Sequence, residues 1–345
     1  MRRRAIAALA ALLASAPAAA ASDPPAAEVL TPLAHRRPAD QTFLTFPEWF
    51  LVHSPAEYAT HAAEHHPSRF PFMVHVGQLW SSYAHVTAAT REHPFNGGYH
   101  LMILVIATST TVEYAIRGGY ETLVGRVTET SAGGRFTPEE RFGAAVAQEY
   151  VDFINVRPWY EFDFIDALTR LWTDVPLTGE DMLRKWERRY ALTTELVAKA
   201  AYGVLIAQAT AATYEAASEV TGVVLDDVPA SLRDDVELVV LERLADGGVI
   251  ATLPRYAAFG RAATRLAERG VRFREIAGNR GTILVSALVP RGTAQQLGYD
   301  VLFTQEIPTR GHEERVVLAL PVGELSAALV ALARPGRALE HVYDF

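Results

Sequence analysis

One long apolar segment constrains this chain more than any other feature. Residues Tyr99–Ile116 read YHLMILVIATSTTVEYAI and contain a single acidic residue, Glu113. As an α-helix this segment would be about 27 Å long, close to the ~30 Å thickness of a bilayer's hydrocarbon core. Two structures fit such a segment: a helix embedded in a membrane, or the central buried helix of a large helical domain.

A second apolar segment, Ala200–Tyr214, ends a long stretch without proline. Gly203, Ala207 and Ala211 recur every four residues, so they form a stripe of small side chains on one helix face. Such a stripe allows close helix packing in lipid, and it is equally typical of an Ala-rich packing face in water. We expect this segment to pack antiparallel against Tyr99–Ile116. We expect the charged run that precedes it, DMLRKWERRY, to be solvated.

The N-terminus predicts export. Met1 is followed by three arginines, a short apolar stretch and small residues through Ala21 that offer several A-x-A cleavage sites. This is the pattern of a secretory signal peptide, so we assign residues 1–21 to it and residues 22–40 to a linker. A retained Ala-rich anchor is the alternative, although the apolar stretch is short for a membrane span.

Composition excludes several classes of function. The chain contains no cysteine, which removes thiolate catalysis, Cys-ligated zinc and disulfides. Its formal net charge of −8 argues against a broad nucleic-acid-binding surface. The sequence also lacks a G-x-S-x-G nucleophile elbow and a Gly-rich phosphate loop.

The 345 residues are enough for two domains, which we place at 41–221 and 222–345. The first is mostly helical, with long apolar helices, and is the part expected to associate with a membrane. The second shows strand patterns from Val236 onward, interrupted by two amphipathic helices. The order strand, helix, hairpin, second hairpin, helix, strand predicts an α+β class with a ferredoxin-like C-terminal domain.

Residues 61–65 read HAAEH, a spacing with metal-binding potential. On a helix, His61 and His65 lie one turn apart and could bind one zinc ion, while Glu64 could activate a zinc-bound water. The string resembles the signature of inverzincin metallopeptidases. That family takes its third ligand from a glutamate well downstream, and Glu139 or Glu140 stands at a comparable separation. The resemblance therefore implies zinc bound by His61, His65 and Glu140; the alternative is a solvated helix that contains several histidines.

His100 and Glu113 are two further candidate polar sites. An ionisable group inside a membrane is costly and is usually functional. In a soluble core, Glu113 would instead need a partner such as Arg117, or an arginine from the long helix.

These patterns support two hypotheses of different classes. The leading one is an exported protein, periplasmic or membrane-associated in the cell envelope, that acts as an accessory component or binds a ligand or protein partner. The alternative is an exported zinc-dependent hydrolase that uses the HAAEH string. Metal content and membrane fractionation distinguish the two.

Overall fold

The computed structural model describes residues 29–213, 219–232 and 236–343. The predicted signal peptide lies outside the described residues, as do Tyr214 and the side chain of Ala211 at the end of the second apolar segment.

The first part of the described chain is helical. Its helices are α1 (Thr45–Glu64), α2 (Phe72–Ala89), α3 (Gly97–Tyr120), α4 (Arg126–Ser131), α5 (Pro138–Ile154), α6 (Phe164–Thr173) and α7 (Met182–Thr213). The π-helical segment Glu121–Gly125 joins α3 to α4 without a break, so that Gly97–Ser131 forms one continuous rod.

Helix α1 begins earlier than its sequence suggests. The run Ser54-Pro55-Ala56-Glu57 predicts a helix start at Ser54, but α1 begins at Thr45 and contains Pro55 in its interior. Proline has no amide hydrogen, so the helix loses one backbone hydrogen bond at that point. The Ser54 hydroxyl is therefore not a cap, and it contacts side chains of two neighbouring helices instead.

The C-terminal part of the described chain forms two four-stranded antiparallel sheets. Sheet A has the order β2-β3-β1-β4 and sheet B the order β6-β7-β5-β8. The strands are β1 (Val220–Asp226), β2 (Val239–Arg243), β3 (Val249–Pro254), β4 (Arg272–Ile276), β5 (Thr282–Pro290), β6 (Asp300–Glu306), β7 (Glu313–Pro321) and β8 (Ala338–Val342). Helix α8 (Ala257–Glu268) joins β3 to β4, and α9 (Leu325–Leu332) joins β7 to β8.

The predicted α+β class is confirmed. The ferredoxin-like topology is not confirmed, because the strands divide between two sheets with one helix each. Strand β1 was not predicted, and it begins at Val220, close to the proposed boundary between residues 221 and 222. The two domain ranges themselves stay a prediction.

The two sheets are built by the same βββαβ unit, used twice. In both units the first strand lies between the third and the fourth. The pairing irregularities also recur: β1/β4 shifts register after Val224, as β5/β8 does after Ser286. The β2/β3 pair shifts after Val240, and β6/β7 shifts after Val301. No tandem repeat is visible in the sequence, because the halves share a pattern of burial and bulges rather than residue identities.

Hydrophobic packing joins the parts of the molecule. The inner faces of both sheets share one core with α8 and α9, which includes Phe259, Val285 and Leu329. The outer face of sheet B packs against the helical part, where Phe46 of α1 meets Phe303 edge-on with ring centres 5.3 Å apart.

Part of the predicted linker is docked on sheet A. The buried carboxylate of Glu275 accepts hydrogen bonds from the Thr31 amide at 2.9 Å and the Thr31 hydroxyl at 2.8 Å. The Arg37 amide donates to the carbonyl of Ala277 at 2.9 Å. Residues 29–37 therefore cover the sheet and do not behave as a free spacer.

Candidate functional site

The structure brings together only two of the three predicted zinc ligands. His61 and His65 stack at the end of α1 with ring centres 4.9 Å apart. His61 is buried, with Nε2 3.2 Å from the carbonyl of His66, whereas Glu64 and His65 are exposed. The expectation of a plain solvated helix is thus wrong for His61. In the described part of the chain, no group of three or more His, Asp or Glu residues is placed to hold a metal ion.

Glu140 has a different set of partners. Its carboxylate accepts from His66 Nδ1 at 2.8 Å and from Arg184 at 2.5 Å. It also accepts from the Thr137 amide at 2.9 Å, and together with Thr137 it forms a capping box at the start of α5. Three donors satisfy this carboxylate, so its place in the structure is explained by helix capping and an ion pair.

His100 and Glu113 both have protein partners. His100 is buried, with Nδ1 2.9 Å from the Tyr83 hydroxyl and its ring stacked on Phe95 at 4.9 Å. Glu113 pairs with Arg117 at 3.5 Å and with Lys199 of α7 at 3.6 Å.

Glu113 begins a ladder of ion pairs between the Gly97–Ser131 helix and α7. Residue numbers rise on one helix as they fall on the other, so the two helices run antiparallel. The pairs are Glu113–Lys199 at 3.6 Å, Arg117–Glu195 at 3.0 Å and Glu121–Arg188 at 2.7 Å. At the π-helical segment, Arg184 donates to the carbonyl of Gly125 at 2.8 Å.

For the described residues, which leave out the side chains of 205 and 208–213, the expected packing of the two apolar segments against each other is wrong. Ala107 lies in a cluster with Phe50 and Leu79 of α1 and α2. A Cβ at Gly203 would meet the backbone of Tyr160 at 3.4 Å. The antiparallel orientation agrees with the expectation, but charged side chains bridge the helices, and Ala107 and Gly203 each pack against other parts of the chain.

Helix α7 has the reverse of the polarity expected from its sequence. The cations of the DMLRKWERRY run are buried, so the expectation that this run is solvated is wrong. Glu139, itself buried, pairs with Lys185 at 3.2 Å and with Arg189 at 2.6 Å. The exposed positions of this run include Leu183, Trp186 and Tyr190. Among the exposed residues described between 182 and 204, none is charged.

The Gly97–Ser131 helix also exposes apolar side chains. Its buried face, which includes Ile103 and Ala107, packs on α1 and α2. We call the opposite side the outer face; it consists of Leu101, Leu104, Val105, Val112, Ile116, Leu123 and Val127, all exposed. Among the described residues this is the one helix apolar and long enough to cross a membrane, and only 28% of its most apolar window is buried.

A chain of buried polar contacts links the helical part to sheet B, and we call it the relay. It starts at Tyr114, whose hydroxyl lies 2.6 Å from the Ser54 hydroxyl. Ser54 lies 2.9 Å from His75 Nδ1, and His75 Nε2 lies 3.4 Å from Glu57. Arg315 of β7 continues the relay by donating to Glu57 at 3.0 Å.

The second half of the relay connects β7 and β8 back to α1. Arg315 binds Glu340 through two hydrogen bonds of 2.6 and 2.7 Å. Glu340 lies 3.4 Å from His53 Nδ1, and His53 Nε2 lies 3.1 Å from the Tyr343 hydroxyl. Residues from α1, α2, α3, β7 and β8 are therefore joined by one set of side chains.

Burial and the Arg315 charge together determine the ionisation of the relay. Burial lowers the pKa of His53 to about 4 and that of His75 to about 3, so both imidazoles are neutral at pH 7. It raises the pKa of Glu57, against the opposing effect of Arg315. Burial also disfavours ionised Glu340, but the Arg315 charge outweighs it and lowers the pKa to about 2.

Ser54, His75 and Glu57 resemble a nucleophilic triad in composition, but their geometry supports a structural role. Ser54 and His75 are 1% and 0% exposed, so a substrate could not reach them without local opening. One sequence signal points to the relay: eight of the chain's 11 histidines lie between His53 and His100, and His53 and His75 are among them. Glu57, Arg315 and Glu340 had none, because their partners are distant in sequence.

Comparison with known proteins adds no relative. No protein-family model, curated protein or solved structure matches this chain.

Proposed function

We propose that this chain is an exported, membrane-associated accessory protein of the cell envelope, held at the bilayer by the outer face of the Gly97–Ser131 helix. The observation that supports the proposal is that face itself. Its seven apolar side chains are exposed, and Arg126 is the one exposed charged residue described between 97 and 131. Exposing such a surface to water is unfavourable, whereas burying it at the apolar boundary of a bilayer is favourable.

The helix is proposed to lie in the plane of the interface. Its neighbour α2 packs on strand β6, where the Gln78 amide donates to the carbonyl of Glu306 and Gln305 donates back at 3.0 Å. Glu306 also pairs with Arg291, and both side chains are exposed. A spanning orientation would take this sheet edge and its charges into hydrocarbon, which is very costly. An in-plane orientation buries only the outer face.

Hydrophobic burial, rather than charge, would supply the binding energy. The seven outer-face residues expose the equivalent of roughly four whole residues. At about 2 kcal/mol for each fully buried side chain, lipid contact could contribute up to ~8 kcal/mol before ordering costs. The net charge of −8 gives no attraction to anionic lipid, so binding should not require it.

Flotation with phosphatidylcholine vesicles tests this proposal. We expect the wild-type protein to float, and the variant Val105→Gln/Val112→Gln/Ile116→Gln to bind roughly a hundredfold more weakly. The matched control is Val239→Gln/Leu241→Gln, which replaces exposed apolar residues on edge strand β2. The control should float like the wild type. A wild-type protein that stays with the soluble fraction would refute the proposal, as would a helix variant that floats normally.

A further inference from the structure

A second apolar surface with exposed side chains lies on α7, and its residues recur with a heptad period. Leu183, Tyr190, Val197 and Val204 are seven residues apart, and all four are exposed. Trp186, Thr193, Ala200 and Ala207 follow three residues after each of them. Alternating steps of three and four residues form the contact seam of a helix that pairs with another helix. We call these eight residues the α7 seam.

The two halves of the seam differ in shape. Leu183, Trp186 and Tyr190 in the first half are bulky. The second half has small residues, and beside it lies an apolar groove of about 470 Å³. The groove is formed by Ala200, Ala201, Val204 and Ala207 of α7 together with Phe162, just before α6, and Phe164 and Ile165 at its start.

We propose that the α7 seam is the interface with a second copy of this chain, paired antiparallel about a two-fold axis. When the heptad positions pair antiparallel, each seam residue faces the residue of the second copy whose number, added to its own, gives 390. Leu183 then faces Ala207, Trp186 faces Val204 and Tyr190 faces Ala200, so each bulky residue meets a smaller residue or the groove. A two-fold axis repeats these contacts, which is the requirement of an isologous interface.

The lack of exposed charge on the seam and its rigidity also favour this occupant. The net charge of −8 on each chain opposes self-association in general, but at the seam no exposed charged side chain adds to that repulsion. The Trp186 ring of the seam is held before pairing, because the Arg189 guanidinium lies 5.8 Å from its ring centre and the Trp172 ring packs edge-on against it at 6.2 Å. Trp172 also donates to Thr193 at 3.1 Å. Pre-ordered aromatic side chains lose little entropy on binding and are typical of interface centres.

Two adjacent exposed residues give a matched test of the seam. Val197 lies on it and Ala198 does not. Sedimentation equilibrium of the wild-type chain without its predicted signal peptide should give twice the mass of one chain. Val197→Lys brings two lysines together near the axis and should weaken the dimer by roughly thirtyfold or more, whereas Ala198→Lys should leave it intact.

Single cysteines determine the orientation, because the chain has none of its own. Thr194 is exposed and lies one residue from the proposed axis, so Thr194→Cys should form a disulfide-linked dimer under mild oxidation. Leu183→Cys should not, since antiparallel pairing places the two copies of residue 183 at opposite ends. Ala145→Cys, at an exposed position of α5, is the negative control.

Several outcomes would overturn the inference: a monomeric wild type, a dimer insensitive to Val197→Lys, or efficient self-linking of Leu183→Cys, which indicates parallel pairing. Loss of vesicle flotation in Val197→Lys together with a monomeric wild type would show that lipid covers the seam. A dimer that does not float would support this inference and refute the proposed membrane function, so the two proposals fail separately.

Discussion

Replacing Arg315 with methionine should destabilise the protein far more than replacing any surface arginine. Arg315 is 1% exposed and donates to two carboxylates, Glu57 and Glu340, through three hydrogen bonds. Methionine retains most of the volume but leaves both carboxylates without a cation. Breaking a buried ion pair on one side costs about 3–5 kcal/mol, because the remaining charge is left unpaired.

The control is Arg272→Met on β4, whose partner Asp227 forms an exposed ion pair at 2.7 Å. Such pairs contribute about 0–1 kcal/mol, so this variant should unfold nearly like the wild type. The triple variant Arg315→Met/Glu57→Gln/Glu340→Gln replaces the two unpaired carboxylates with neutral amides. It should recover a large part of the lost free energy of unfolding, because uncharged amides are less costly to bury.

Urea unfolding monitored by tryptophan fluorescence measures these differences. Trp49 reports on the relevant interface, because its ring stacks on His341 of β8 with ring centres 3.4 Å apart. An Arg315→Met variant that loses no more than about 1 kcal/mol relative to Arg272→Met would refute the buried-pair reasoning. So would a triple variant no more stable than the single one.

Three other predictions follow from the structure. Because the folded pKa values of His53 and His75 lie near 4 and 3 and their ordinary value is 6.5, the unfolded state binds more protons below pH 6.5. The free energy of unfolding should therefore be greatest above pH 6.5 and fall by up to about 4 kcal/mol by pH 5. The raised pKa of Glu57 offsets part of this loss, because Glu57 takes up a proton more readily in the folded state. A urea midpoint that stays the same between pH 7 and 5 would contradict this prediction. Gly125→Ala should cost about 1–3 kcal/mol because its Cβ would overlap the Glu121 carboxylate that Arg188 holds, while Gly119→Ala, with open space around it, should be neutral or slightly stabilising in thermal unfolding. His61→Ala should lower stability by about 1–2 kcal/mol by removing ring contacts with His65 and Phe70, and elemental analysis should find no stoichiometric zinc in the wild type; zinc that is lost in the variant would support the hydrolase hypothesis.

Local signals account for the parts of the fold that the sequence predicts. Strand patterns around Val249–Pro254 and Thr282–Pro290 depend on alternation and turn residues within a few positions. The capping box at Thr137 and Glu140 is likewise encoded within four residues, and it is present in the structure.

Long-range pairing accounts for what the sequence did not predict. Arg184 meets Glu140 across 44 positions, and Arg315 meets Glu57 across 258. A charged run is ordinarily read as solvated, because charged residues are rarely buried without partners. The carboxylates that allow burial of the α7 cations come from other helices, so no pattern within α7 reveals them. The repeated βββαβ unit is not visible in the sequence either, because its two copies share strand pairing and burial rather than residue identities.

The central claim is that the outer face of the Gly97–Ser131 helix contacts lipid. A polarity-sensitive fluorophore on Val112→Cys tests it most directly, because Val112 lies on that face, half exposed, and the chain has no other cysteine. Phosphatidylcholine vesicles should shift the emission to the blue and increase its intensity at this position, and should leave the same fluorophore on Val239→Cys of β2 unchanged. Unchanged emission at Val112, or equal shifts at both positions, would contradict the claim.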